Sequence, residues 1–162
     1  MSQRDRQDPG GTPKRAAAAP FYADYLPYLV ASAAFLILND FHALLKRFRM
    51  PVTEWRTLAA LASGRGLTVG QLARITLSKQ PTLSRQVDRL EARGLVRRAS
   101  APQDLRQSLV TITEAGRRRV APVLATARRH EARVLEGMPV RDVATLKRLL
   151  KSFIAAFEAR GR

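Results

Sequence analysis

The sequence predicts a mainly α-helical chain of about six helices, with one small β-hairpin between the fourth helix and the fifth. Three observations predict it. Apolar residues recur at three- and four-residue spacing along most of the chain, as in "VTEWRTLAALA" and "VATLKRLLKSFIAAF". The pattern changes only around "LVRRAS" and "SLVTI", short runs of strand character on either side of "APQDLRQ". Apolar residues make up 46% of 162, enough for a folded chain with a buried core.

Residues 1–20, "MSQRDRQDPGGTPKRAAAAP", are polar and bear Gly and Pro; they read as a disordered basic tail. A long helix over 21–49 follows, rich in aromatics and leucine, with Pro27 near its start and Pro51 halting it. The second helix covers 53–63, with Thr53 as its N-cap and Trp55, Leu58, Leu61 and Ala62 on one face. "SGRG" is turn chemistry. The third helix is short and opens on Thr68 with Gln71 three positions on, a capping-box signature.

The fourth helix covers 79–93: Ser78 is its cap, Pro81 is tolerated in the first turn, and Gly94 is its stop. After the two strand runs, Thr113 caps a long helix to about Glu136, interrupted by Pro122. The last helix covers about 140–160. Its Val143, Leu146, Leu150, Phe153 and Phe157 are spaced 3, 4, 3, 4, an a/d seam that asks for another helix to pack against.

Charge narrows the function classes. The 29 Lys and Arg against 13 Asp and Glu leave a net +16, a field that attracts nucleic acid, anionic membrane or acidic protein. Most of it is arginine, whose planar fork suits phosphates and base edges. The absence of cysteine excludes disulfides, thiolate metal sites and cysteine-based redox sensing. His42 and His130 have no partner at ligand spacing, so neither a metal nor a cofactor is expected. The longest uncharged run, Tyr25 to Asn39, falls short of the roughly 20 residues of a membrane span. With no charged-then-apolar leader, a cytoplasmic protein is expected. A Gly-rich phosphate loop, a nucleophile elbow and a paired-carboxylate cleft are all missing, so an enzyme is the poorest fit.

Helix 79–93 separates into two faces. Leu83, Val87 and Leu90 cluster on one side; Pro81, Arg85, Asp88 and Ala92 lie opposite, with Thr82, Ser84 and Arg89 on the flanks. Short hydroxyls and a bidentate arm near a helix N-terminus are what a major-groove reader needs. A short capped helix precedes it after one tight break, the helix-turn-helix arrangement. Residues 74–119 hold eleven Arg or Lys and four Asp or Glu, so positive charge concentrates here. The hairpin projects beside the reading helix as a wing, with Arg106 at its tip to enter a minor groove. Asp104 pairs with an arginine such as Arg97, Arg98 or Arg106 and holds the wing's shape. The rival reading is an architectural nucleic-acid binder, driven by charge with little sequence preference.

The stretch "LTVGQLARITLSKQPTLSRQVDRLEARGLVRRASAPQDLRQSLVTITEAG" resembles the winged helix-turn-helix core of the MarR family of bacterial transcriptional regulators. The features that carry the resemblance are "PTLSRQVDRLEARGLVRR", the wing pattern of Asp104, Arg106, Val110 and Thr113, and "TEAG" at 113–116. It is dense over about residues 52–120; where many members read D-R-R in the wing, the middle position here is Leu105. The resemblance implies a winged helix-turn-helix domain over 52–116 and a helical dimerisation region over 21–51 and 117–162. It further implies a homodimer on a pseudo-palindromic operator with half-sites about 10 bp apart. Thr82, Ser84 and Arg85, flanked by Arg89, would meet the major groove, Ser78 and Lys79 the DNA backbone, and Arg106 the minor groove. Family members often repress transcription and release DNA when a small molecule, commonly a phenolic or aromatic acid, binds between the two regions. Here Tyr22, Tyr25, His42, Arg49 and Trp55 would line such a pocket, with His42 or Arg49 pairing a carboxylate.

Overall fold

A computed structural model describes the backbone of residues 20–101 and 104–160, and the side chains of these residues other than 101–107. The tail expected over residues 1–20 therefore lies, but for Pro20, outside the described residues. A 3-10 turn at Phe21–Ala23 leads into α1 (Leu26–Arg47) and α2 (Val52–Leu61). Then come β1 (Leu67–Thr68), α3 (Val69–Ile75), α4 (Gln80–Ala92), β2 (Val96–Ala101), β3 (Asp104–Ile112), α5 (Glu114–Val134) and α6 (Val140–Arg160). The chain divides into two compact units, one ending at Leu36 and one beginning at Ile37.

In the first unit, α1 begins at Leu26 and not at residue 21. Pro27 has no N–H to donate to the Ala23 carbonyl and its ring would clash with that carbonyl, so the helix cannot run back to residue 21, and in the first turn the missing N–H costs nothing. Phe21 stacks on Tyr25 at 5.0 Å and Tyr22 tilts against Tyr28 at 5.2 Å, yet all four rings stay exposed.

The second unit holds the core. Phe41 and Leu45 enter it from α1, Leu58 and Leu61 from α2, Leu83, Val87 and Leu90 from α4, and Val120 and Val123 from α5. By length and composition α1 qualifies as a membrane span, with a mean hydropathy of 1.6 over 18 residues. Its C-terminal half is nevertheless committed to protein packing through Phe41 and Leu45.

The sheet is three-stranded and antiparallel in the order β1-β3-β2. Leu67 pairs with Val110 and Thr68 with Leu109, a strand the sequence reading lacked. The hairpin runs in register from Val96↔Ile112 to Ser100↔Ser108, then shifts to Ala101↔Asp104. The strands thus reach further than predicted, and the backbone of Arg106 belongs to β3 and not to a loop. The side chains of Asp104 and Arg106 lie outside the described residues.

Two caps form as read. Thr68 Oγ1 accepts from the Gln71 N–H while the Gln71 side chain accepts from the Thr68 N–H, and Thr113 Oγ1 accepts from the Gly116 N–H. Gly94, at φ +68, ends α4. Two other caps differ. Pro51 is the N-cap of α2, and Thr53 lies inside the helix, its carbonyl accepting from the Thr57 hydroxyl at 2.8 Å. Lys79, not Ser78, is the N-cap of α4. Ser78 is used to end α3: its N–H donates to the Ala73 carbonyl and its hydroxyl to that of Thr76, because Leu77 takes a left-handed turn at φ +53.

Candidate nucleic-acid interface

The reading helix is held from behind. Leu83, Val87 and Leu90 of α4 are buried, which turns Lys79, Gln80, Thr82, Arg85 and Arg89 outward to solvent. Thr82, Arg85 and Arg89 follow one another at i, i+3, i+7 and so share a face. Ser84 is half-buried in a shallow hollow with Val69, Gln80, Pro81 and Arg98, and Ser78 is half-buried at the turn. Gln80 was missed by the sequence reading. Its signal was available: an amide side chain at the first helical position, the type that pairs with adenine.

The wing is tied to this helix by Arg98. Its guanidinium donates to Asp88 Oδ1 at 2.6 Å and to Glu91 Oε2 at 2.7 Å, and its N–H to Glu91 Oε1 at 2.7 Å. The hydrogen bond to Asp88 above all, and that to Glu91, raise the guanidinium above its already high range. Arg98, one of the arginines expected to hold the wing's shape, thus engages two carboxylates of α4; the Asp104 side chain expected to pair with it lies outside the described residues. Arg97, another of those arginines, donates to Thr111 Oγ1 across the hairpin at 3.2 Å.

A second anchor was not foreseen. Glu54 of α2 is 2% exposed and receives Arg93, from the C-terminal end of α4, and Arg119 of α5 at 3.1 Å. Arg119 also donates to the Arg49 carbonyl at 2.9 Å, where the left-handed Arg49 (φ +46) closes α1. One buried carboxylate therefore joins the reading helix to α2 and α5. Its signal was that Glu54 falls on the same helical face as Leu58 and Leu61.

The hairpin's other end meets α5 closely. A Cβ at Gly116 would stand 2.1 Å from the Leu95 carbonyl oxygen, so only glycine fits. Thr113 Oγ1 donates to the Gly94 carbonyl at 2.7 Å, fixing the same junction.

Of the five residues expected around a ligand, Tyr22 and Tyr25 belong to the first unit and His42, Arg49 and Trp55 to the second. Tyr22 and Tyr25 are exposed in the first unit. In the second, Trp55 sits 5.3 Å from the Phe41 ring and lines a groove of about 530 Å³ with Ala59, Leu124, Ala127, Leu146 and Leu150. His42 and Arg49 are not among its walls. Arg49 faces solvent because its left-handed backbone ends α1.

A helix-turn-helix with a buried apolar back, a polar outward N-terminal face and an antiparallel wing defines a DNA-binding protein of the winged helix class. The MarR family's sequence model matches residues 50–107. A MarR family transcriptional regulator of Silicibacter pomeroyi DSS-3 is 32% identical, with a TM-score of 0.74 over 86% of this chain and 99% of that one. The chain belongs to the MarR family of transcriptional regulators. It is also similar to the HTH-type transcriptional repressor IacR of Pseudomonas putida, 27% identical over 79% of this chain and 77% of IacR. CouR of Rhodococcus jostii RHA1, solved bound to p-coumaroyl-CoA, is 26% identical, with a TM-score of 0.73 over 83% of this chain and 95% of CouR.

Proposed function

We propose that the protein is a cytoplasmic homodimeric repressor that reads a pseudo-palindromic operator and leaves it when a small organic ligand binds. The observation that carries the reading is α4: its apolar face is fully committed to the core, and Lys79, Gln80, Thr82, Arg85 and Arg89 are left free for DNA. Residues 52–116 form the reading head, with Arg106 of the wing meeting the minor groove. Residues 21–51 and 117–162 form the dimerisation region.

Dimerisation is supported by α6, which buries no residue within the chain. Leu146, Leu150, Phe153 (46% exposed) and Phe157 (57%) face outward, and Leu149 and Ile154 widen the predicted seam. So much exposed apolar surface marks an interface. The apolar groove at Trp55 supports the ligand reading, since its volume and lining suit a small molecule. CouR binds a phenolic acyl-CoA, and an aromatic acid or its thioester is the ligand class proposed here. To release DNA, it must bind the incompetent spacing of the heads more tightly than the competent one.

The test is selection of bound duplexes from sheared genomic DNA, followed by fluorescence anisotropy at near-physiological salt against a scrambled duplex of equal length. A preference of about a thousandfold or more is expected. Recovery of no preferred sequence, with affinity falling steeply in salt, would support the architectural reading that the +16 charge also permits.

A further inference from the structure

We infer, on the dimeric reading proposed above, that Glu54 is a positioning residue for DNA reading. Its buried carboxylate sets the angle between the reading head and α5, and so the spacing of half-sites that two heads accept. Both of its oxygens are used: the Arg93 fork spans Oε1 and Oε2, and Arg119 Nε donates to Oε1 at 3.1 Å. Arg93 is the C-cap of α4, and Arg119 lies in the second turn of α5 and reaches on to the Arg49 carbonyl just past α1. α5 also grips the far end of α2, where Arg117 donates to the Ala62 carbonyl at 3.2 Å. α2 in turn holds α3, through Arg56 and the Thr76 carbonyl at 3.4 Å. Both helices of the helix-turn-helix are thus tied to α2, and α2 is tied to α5 at its two ends.

Stability alone does not call for a buried carboxylate here, because apolar side chains of similar volume often fill such a site as well. What the cluster supplies is direction. An arginine fork meets a carboxylate in one plane, whereas apolar burial is non-directional. Direction matters because α4 is a lever. From the Arg93 anchor to its Lys79 end it measures about 20 Å, so a tilt of about 5° displaces that end by about 2 Å. That is roughly half the 3.4 Å rise of one base pair.

The test takes an operator recovered from the genomic selection, versions with one base pair added or removed between the half-sites, and a duplex carrying one half-site. Affinities are measured for the full chain and for Glu54→Gln, Arg119→Gln and Val123→Ala. The unaltered chain is expected to lose at least about tenfold when the spacing changes, as the second half-site drops out of reach. Glu54→Gln and Arg119→Gln are expected to lose less than about threefold, and to bind the single half-site as the unaltered chain does. Arg119→Gln cuts the α5 link alone, and it carries the test should Glu54→Gln fail to fold. Val123→Ala weakens the core at α5 without touching the cluster, and keeps the steep spacing dependence. An equally steep dependence in Glu54→Gln and Arg119→Gln overturns the inference, as does a flattening by Val123→Ala of the same size. So does half-site affinity falling in step with operator affinity, which would place the effect within the reading helix. Indifference to spacing in the unaltered chain overturns the dimeric reading itself, and this role of Glu54 with it.

Discussion

Lys79 and Arg85 are both exposed at the N-terminal half of α4, yet their removal has different consequences. Lys79, at the N-cap, is the residue proposed to meet phosphate, so Lys79→Ala is expected to lower operator and scrambled-duplex affinity together and to reduce the salt slope by about one. Arg85 lies in the second turn with a fork suited to guanine, so Arg85→Ala is expected to cost about 1–3 kcal/mol on the operator alone. Anisotropy titrations across a salt series separate the two, and equal losses on both duplexes for Arg85 would assign it to phosphate instead. Gly116 is the residue with the least freedom. Gly116→Ala forces a methyl into the Leu95 carbonyl, and about 3 kcal/mol of stability should go with it. A urea midpoint unchanged by this substitution would mean that α5 shifts away from the hairpin at little cost.

At the scale of elements, the Glu54 anchor decides how firmly the reading helix is attached. Glu54→Gln keeps the shape but removes the charge facing Arg93 and Arg119. Full burial of all three groups would put the loss at about 3–5 kcal/mol. Arg93 and Arg119 keep part of their hydration, with side chains 49% and 32% exposed, so about 2 kcal/mol is expected. Urea unfolding at constant m measures it, and a change below about 0.5 kcal/mol would show that water already screens the cluster.

Such links were hard to read in sequence, whereas the helices were not. Apolar spacing is local, and so are the caps at Thr68 and Thr113, where side chain and backbone partner lie three residues apart. β1 has only two residues and exists through Val110 and Leu109, some forty positions on, so no period announces it. Ser78 was misplaced as a cap because a leucine in the left-handed region has no signature in its type. The carboxylates that Arg98 engages stand on the helix behind it, seven and ten positions back, where no local pattern points to them.

For the whole molecule, the charge and the apolar surface pull in opposite directions. Two copies each carrying +16 repel, so the proposed dimer needs an opposing term, and burial of the outward face of α6 is the one proposed here. A fully buried leucine or phenylalanine contributes about 1.5–3 kcal/mol, and several such side chains on each protomer are enough to offset screened repulsion. Placing carboxylates in that face reverses the balance, because each must then be desolvated in an apolar seam. The double substitution Leu150→Glu and Phe153→Glu is therefore expected to give a monomer at micromolar concentration in sedimentation velocity. With the heads uncoupled, operator affinity should fall about a hundredfold or more, as the second half-site no longer binds intramolecularly. Affinity for a duplex carrying one half-site should stay as it was, since α4 and the wing are untouched. Should the variant remain dimeric and hold the operator normally, the seam does not lie on α6, and the apolar face of α1 becomes the surface to test.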